Sequence, residues 1–210
     1  MNTYVYTLYG NVYVNLTNRC SNSCEFCIRN HESTMDGRTF SSHKGDSGDA
    51  YDLWLDREPS YDDVVSQLDE LDLSQYKEMV FCGYGEPTYR FDIIERLCKY
   101  ARDKGIRTRI NTNGHGSKIQ GRDIAPAMAA CIDTINVSLN AVDAVSYQSL
   151  CHSIYGNDSF DIMLDFAREC VKCGGNVVLS IVDCVPDEQI ERAAEIAEQV
   201  GAKLRVRKML

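Results

Sequence analysis

The sequence predicts an α/β fold built on a mostly parallel sheet. Three observations carry this. β-rich runs alternate with amphipathic helical runs, three of the helical runs stop at glycine, and the later strands have one apolar and one polar face. With 210 residues, the chain is expected to form one domain, 1–210, with a full core.

The elements follow in order. Thr3 to Leu8 and Val12 to Leu16 are β-rich runs separated by Tyr9, Gly10 and Asn11, which predicts an antiparallel hairpin that covers the sheet edge. A cysteine-rich loop comes next, then a polar stretch from His31 to about Pro59 that reads as a long loop. Ser60 caps a helix over Tyr61 to Leu71, with Asp63 placed to close a capping box. Glu78 to Cys82 is a strand and Asp92 to Lys104 a helix, stopped by Gly105. Arg107 to Thr112 is a strand, Ile124 to Ala130 a short helix and Thr134 to Leu139 a strand. A helix over Phe160 to Lys172 ends at Gly174 and Gly175, followed by the strand Val177 to Val182. A helix over Asp187 to Val200 and a strand over Lys203 to Arg207 complete the chain.

Side chains on a strand point alternately to opposite faces. Thr108 and Ile110 alternate with Arg109 and Asn111, Ile135, Val137 and Leu139 with Asn136, Ser138 and Asn140, and Leu204 and Val206 with Arg205 and Arg207. A parallel sheet buried on both faces reads as continuous apolar runs, and this one does not. The expected solution is a partial barrel, open on one side, with helices outside and a polar, partly cationic lumen.

Hydrophobic residues make up 44% of the chain and charged residues 25%, which excludes a largely disordered protein. Lys plus Arg is 22 against 31 Asp plus Glu, a net charge of −9, unlike a general nucleic-acid binder. The chain carries no long apolar run and no basic, apolar leader, so we expect a cytoplasmic protein without membrane contact.

The ten cysteines carry the chemistry. Cys20, Cys24 and Cys27 fall within eight residues directly after a strand. Three thiolates on one short loop suit an iron–sulfur cluster, with one iron left open to a small molecule. Zinc is the alternative, with His31 as fourth ligand. Cys170 and Cys173 form a CxxC that, with Cys151 or Cys184, would be an auxiliary cluster; buried thiols are the plainer reading there, as for Cys98 and Cys131. His43, His115 and His152 read as surface or loop histidines.

Cys20, Cys24 and Cys27, with Phe26 before the last, resemble the CxxxCxΦC motif of the radical S-adenosylmethionine (SAM) superfamily. Gly83-Tyr84-Gly85-Glu86-Pro87 resembles its GGEP motif with Tyr84 as a departure, and Asn111-Thr112-Asn113-Gly114 its TNG-like strand end. Tyr13 to Cys20, Cys27-Ile28-Arg29-Asn30 and Ser138-Leu139-Asn140-Ala141 resemble the small TatD-linked members. The resemblance implies a partial (β/α)6 TIM-like barrel and an enzyme that reductively cleaves SAM to a 5′-deoxyadenosyl radical, which abstracts hydrogen from substrate. It implies a [4Fe–4S] cluster and SAM as cofactors, with Cys20, Cys24 and Cys27 as cluster ligands. Gly83, Tyr84, Gly85 and Glu86 would lie at the methionine end, Phe26 beside adenine, and Asn113, Ser138 and Asn140 among the SAM contacts.

Arg109 and Arg207, with Arg205, are candidates for the SAM carboxylate or an anionic small-molecule substrate; a structural ion pair with Glu78 is the alternative for at least one. A flavodoxin or ferredoxin reductant and a TatD-family hydrolase are the implied partners. Other readings are a 7-carboxy-7-deazaguanine synthase-like or glycyl-radical-activating enzyme, and an iron–sulfur or zinc protein of electron transfer or assembly.

Overall fold

The computed structural model describes residues 2–27, 52–183 and 185–208, and the backbone of two short antiparallel strand pairs. These pairs join Thr34–Met35 to Arg38–Thr39 and His43–Lys44 to Ala50–Tyr51. Ile28, Arg29, Asn30, His31, Cys184 and the His43 side chain lie outside the described residues.

The sheet strands are β1 (Val5–Leu8), β2 (Asn11–Val14), β3 (Glu78–Phe81), β4 (Arg107–Thr112), β5 (Thr134–Ser138), β6 (Val177–Val182) and β7 (Lys203–Arg207); β1 to β4 are neighbours in that order, and so are β5 to β7. β1 runs antiparallel to β2; the β2–β3, β3–β4, β5–β6 and β6–β7 pairs are parallel. The helices are α1 (Tyr61–Leu68), α2 (Phe91–Asp103), α3 (Gly116–Gln120), α4 (Ala125–Cys131), α5 (Ala144–Cys151), α6 (Asp158–Lys172) and α7 (Asp187–Val200). None is long and apolar enough to cross a membrane among the described residues.

The chain divides into two compact units. The first comprises Met1–Cys20 and Phe26–Ile110, the second Ser21–Glu25 and Asn111–Leu210.

In the first unit the expected hairpin forms. Leu8 faces Asn11 across a two-residue turn in which Tyr9 and Gly10 both take positive φ, 54° and 69°, the twist that suits a tight hairpin. The capping box closes as well: Asp63 N donates to Ser60 Oγ at 3.2 Å and Ser60 N to Asp63 Oδ2 at 2.8 Å. α1 ends at Leu68, three residues before the expected stop, where Asp69 N donates back to Val65 O. α2 buries Phe91, Ile94, Leu97, Cys98 and Ala101, one stripe of a 3.6-residue period. Val12, Val14, Met79, Phe81, Thr108 and Ile110 form the buried face of the sheet.

The opposite face of this unit corrects the expectation of a polar surface. Tyr13 pairs with Val80 and Val80 with Arg109, so all three share it. There Tyr6, Tyr13, Leu53, Val80 and Tyr84 pack as an aromatic cluster. Tyr6 stacks on Tyr13 with centroids 5.0 Å apart, and Tyr6 OH donates to Cys82 O at 3.1 Å. Burial pushes the Tyr6 phenol well above its ordinary pKa; burial raises Tyr13 too, against the pull of the Arg109 guanidinium.

In the second unit the two-faced pattern holds on β5 and β6 and fails on β7, where Arg205 and Val206, expected on opposite faces with Val206 against the helices, are both exposed. Ser138 pairs with Ser180 and Ser180 with Arg205, while Val182 pairs with Arg207. Ser138 and Arg207 are half-buried and Arg205 exposed, whereas Ile135, Val137, Leu139, Leu179 and Ile181 are buried on the other face. α6 buries Phe160, Met163, Leu164, Ala167 and Cys170. α3 and α5 are additions to the expected elements. α5 is capped by Asp143, whose carboxylate accepts from Ser146 N at 2.9 Å.

Candidate functional site

Cys20 and Cys27 belong to the first unit and Cys24 to the second; all three are half-buried. None of the nine described cysteines is in a disulfide. Among the described residues, no three His, Cys, Asp or Glu side chains group as a metal site.

In the first unit, the segment leading into Cys20 is held by long-range hydrogen bonds. Asn15 Nδ2 donates to Leu53 O at 2.7 Å and Asn18 Nδ2 to Leu55 O at 2.8 Å, with Leu55 N returning to Asn18 Oδ1 at 3.1 Å. Thr17 Oγ1 donates to Glu58 Oε1 at 2.5 Å, and Glu58 also pairs with Arg90 at 3.1 Å. The end of the stretch read as a long loop is therefore stitched along Asn15–Asn18. Asn15, Thr17 and Asn18 brace the segment through partners 37 to 41 positions away, which no local pattern announces.

The turn after β3 lies against the same segment. A Cβ on Gly83 would stand 2.0 Å from Asn15 Oδ1, and one on Gly85 2.3 Å from Thr17 O and 2.6 Å from Arg19 O. These glycines permit a close backbone approach. Glu86 N donates to Arg19 O at 2.7 Å. Buried Glu86 accepts from Thr88 N at 3.1 Å and Thr88 Oγ1 at 2.7 Å, capping the short 3-10 turn Pro87–Arg90. Tyr84, the departure from the motif, turns into the aromatic cluster. Phe26 is half-buried.

In the second unit, residues 21–25 are held on both sides of Cys24. Ser23 N donates to Cys151 O at 2.9 Å and Glu25 N to Leu150 O at 3.0 Å, at the end of α5. Ile154 N donates to Ser21 O at 2.9 Å, and Asn22 Nδ2 to Tyr147 OH at 3.1 Å. Asn113 Nδ2 donates to Ser21 Oγ at 2.8 Å, and Asn113 Oδ1 accepts from His115 N at 3.0 Å, so this residue braces the loop. Gly114, at φ 80°, would bring a Cβ within 2.6 Å of Met163 Cγ.

His115 corrects the surface assignment made from sequence: it is fully buried. Its Nε2 lies 3.0 Å from Ser159 O and its Nδ1 3.0 Å from Ser21 Oγ. Burial holds its pKa down to about 4, against the opposing pull of the Ser159 carbonyl. His152, by contrast, is exposed beside Glu25 at 3.3 Å, as a loop histidine.

Asn140 follows β5 in a left-handed conformation, φ 59°, unusual for a non-glycine residue. Its Nδ2 donates to Cys151 Sγ at 3.5 Å, while its buried Oδ1 has no hydrogen-bond partner. Asn136 Oδ1, on β5 itself, is in the same state. Buried acceptors are nearly always satisfied, by protein, water or a ligand; Asn15 Oδ1 and Asn22 Oδ1 are in the same state.

The arginines divide. Arg109 Nε donates to Glu78 Oε2 at 3.0 Å and the guanidinium also hydrogen-bonds Tyr13, the structural ion pair foreseen as the alternative. Arg205 is exposed and Arg207 half-buried. Cys98, Cys151 and Cys170 are buried, with the Cys170 thiol pushed up to about 12 chiefly by desolvation, while Cys173 is exposed and Cys131 half-buried. Cys98, Cys151 and Cys170 are thus packing thiols.

The chain has the parts of a recognisable family. The chemistry of the donor set, three thiols outside any disulfide, fits an iron–sulfur cluster. Three solved structures illustrate the fold. Streptococcus suis SuiB bound to S-adenosylmethionine is 18% identical, with a TM-score of 0.66 over 94% of this chain and 40% of that one. A radical SAM methyltransferase from Sphaerobacter thermophilus is 15% identical, with a TM-score of 0.65 over 96% and 57%. The FeFe-hydrogenase maturase HydG from Carboxydothermus hydrogenoformans is 14% identical, with a TM-score of 0.62 over 100% and 46%. The chain thus spans about half the length of these structures or less. No curated protein matches it in sequence. The family model of the Radical SAM superfamily matches residues 14–200, and the chain belongs to that superfamily.

Proposed function

We propose that residues 1–210 form the single core domain of a radical SAM enzyme, folded as a partial (β/α)6 barrel, in which Cys20, Cys24 and Cys27 hold a [4Fe–4S] cluster. When bound, the cluster supplies the electron that cleaves SAM to methionine and a 5′-deoxyadenosyl radical, which takes hydrogen from substrate. SAM is the ligand in the Streptococcus suis SuiB structure.

The observation that carries this reading is the orphaned, buried Asn140 Oδ1 on a left-handed backbone. Asn140 accepts a ribose hydroxyl of SAM, and the half-buried Ser138 hydroxyl contacts the same sugar. Phe26 packs beside adenine. The backbone of Gly83–Glu86, rather than the Tyr84 or Glu86 side chains, receives the methionine end. Asn113 contributes by holding the loop. Arg207 keeps a role toward the carboxylate of SAM or of an anionic substrate; Arg109 is engaged with Glu78. A flavodoxin or ferredoxin supplies the electron. The TatD-linked subgroup, and a functional link to a TatD-family hydrolase, rest on the Tyr13–Cys20 and Ser138–Ala141 motifs.

Anaerobic reconstitution tests the reading. About four irons and four sulfides per chain are expected, with a SAM-perturbed cluster spectrum and 5′-deoxyadenosine on reduction. Alanine at Cys20, Cys24 and Cys27 together should abolish the cluster. A full cluster in that triple variant sinks the ligand assignment, and a cluster indifferent to SAM marks an electron carrier instead.

A further inference from the structure

The second unit contains a closed hydrogen-bond ring that joins Ser21 to Asn113 and His115, more than ninety positions later. Its polarity is fixed by chemistry. Ser159 O can only accept, so His115 Nε2 carries the proton and Nδ1 is an acceptor. The Ser21 hydroxyl therefore donates to Nδ1, and its lone pair receives Asn113 Nδ2. Edge-on contacts with Tyr147 and Tyr155, centroids 6.2 and 5.3 Å away, fix the imidazole plane.

Ser21 begins the segment that carries Cys24. That segment has its remaining anchors on α5 and the residues after it, through Ile154 N to Ser21 O, Ser23 N to Cys151 O and Glu25 N to Leu150 O. These three use backbone groups; Asn22 Nδ2 adds a side-chain contact to Tyr147 OH at 3.1 Å, and Glu25 an exposed one to His152 at 3.3 Å. The side-chain ring at Ser21 adds direction to one end of the loop, and it arrives from the end of β4.

We propose that His115 is a positioning residue for the cluster: through the Ser21 hydroxyl it holds the loop bearing Cys24 in the conformation that receives the metal. The proposal rests on the reading that these thiols are cluster ligands. Partners that orient metal ligands from behind commonly contribute about 10–100-fold to metal affinity.

Two substitutions separate positioning from packing. The side-chain oxygen of His115→Asn sits where Nδ1 sits and still accepts from Ser21. The side-chain nitrogen of His115→Gln reaches toward Ser159 O and leaves Ser21 without its acceptor. In the proposal, His115→Gln and Ser21→Ala lower cluster affinity about tenfold and alter the electron paramagnetic resonance line shape of the reduced cluster, while His115→Asn stays within about threefold of wild type. The double variant Ser21→Ala/His115→Gln should be no worse than either single one. Amide exchange of the cluster-free protein provides a readout independent of metal: residues 21–25 should exchange faster in His115→Gln, with β5 and β6 still protected.

Wild-type cluster content, line shape and exchange in His115→Gln overturn the proposal. So does an equal loss in His115→Asn and His115→Gln, which marks a role in packing. If the wild-type chain takes up no cluster, the reading of the thiols fails; exchange at residues 21–25 then decides the brace by itself, faster exchange in His115→Gln supporting it and unchanged exchange overturning it.

Discussion

Glu86 N donates to Arg19 O at 2.7 Å, joining the turn after β3 to the residue before Cys20. The join is possible because Gly85 has no Cβ: one there would stand 2.3 Å from Thr17 O and 2.6 Å from Arg19 O. Both neighbours are backbone atoms and neither can swing aside. Gly85→Ala should therefore destabilise the protein by about 1–3 kcal/mol, the usual cost of overpacking, and lower cluster uptake with it. Urea denaturation and iron content check this. An unchanged denaturation midpoint would show that the turn moves away freely.

At Asn140 the backbone and the side chain make separable contributions. Glycine adopts φ near 59° without strain, so Asn140→Gly keeps the turn and removes the amide. Stability should hold or rise, while SAM affinity should fall about tenfold, the equivalent of about 1.4 kcal/mol for one good hydrogen bond. Titrating SAM against the reconstituted cluster measures it. Wild-type affinity in this variant would remove Asn140 from the cofactor site.

Features set by neighbouring residues were legible in the sequence. The Ser60–Asp63 box, the Tyr9–Gly10 hairpin and the two-faced strand of Asn136, Ser138 and Asn140 all follow from local spacing. The cysteine motif was legible for the same reason. α5 was not, because only Tyr147 and Cys151 are buried along it, too few to draw a stripe. His115 was not legible either. Its side-chain partners are Ser21, 94 positions away, and Ser159, 44 positions away, and no local pattern announces them. Tyr84 was read as a motif position, but long-range packing with Tyr6, Tyr13 and Leu53 decides where it goes.

Arg109 and Glu78 meet at 3.0 Å with side chains 12% and 22% exposed. Removing one partner leaves the other charge half-buried. Arg109→Ala should destabilise the fold by about 1–3 kcal/mol, the range for a hydrogen-bonded charge left unsatisfied. SAM affinity should be unchanged, because the guanidinium is committed to Glu78 and Tyr13. Glu78→Gln should cost less, since the amide still accepts from Arg109. A fall in SAM affinity without a fall in stability would return Arg109 to the cofactor.

His115 makes stability depend on pH in one direction. In the unfolded chain its imidazole titrates near 6.5, and in the folded chain burial lowers this to about 4. Between these values the unfolded state binds the extra proton, so stability rises with pH. The contribution is fully present above about pH 6.5, declines as pH falls and is gone below about pH 4. At about 1.4 kcal/mol per pH unit of separation, the window is worth about 3 kcal/mol. Urea denaturation of the cluster-free protein from pH 4 to 7.5 should show that decline in the wild type, and a shallower one in His115→Asn, which has no proton to take up. Asp63, held well below the usual carboxylate range by Arg57 and Ser60, is shared by both proteins and cancels in the comparison. Parallel pH profiles would mean that the imidazole titrates in the folded state as it does in water, and that the Ser21–His115 bond does not need the neutral ring.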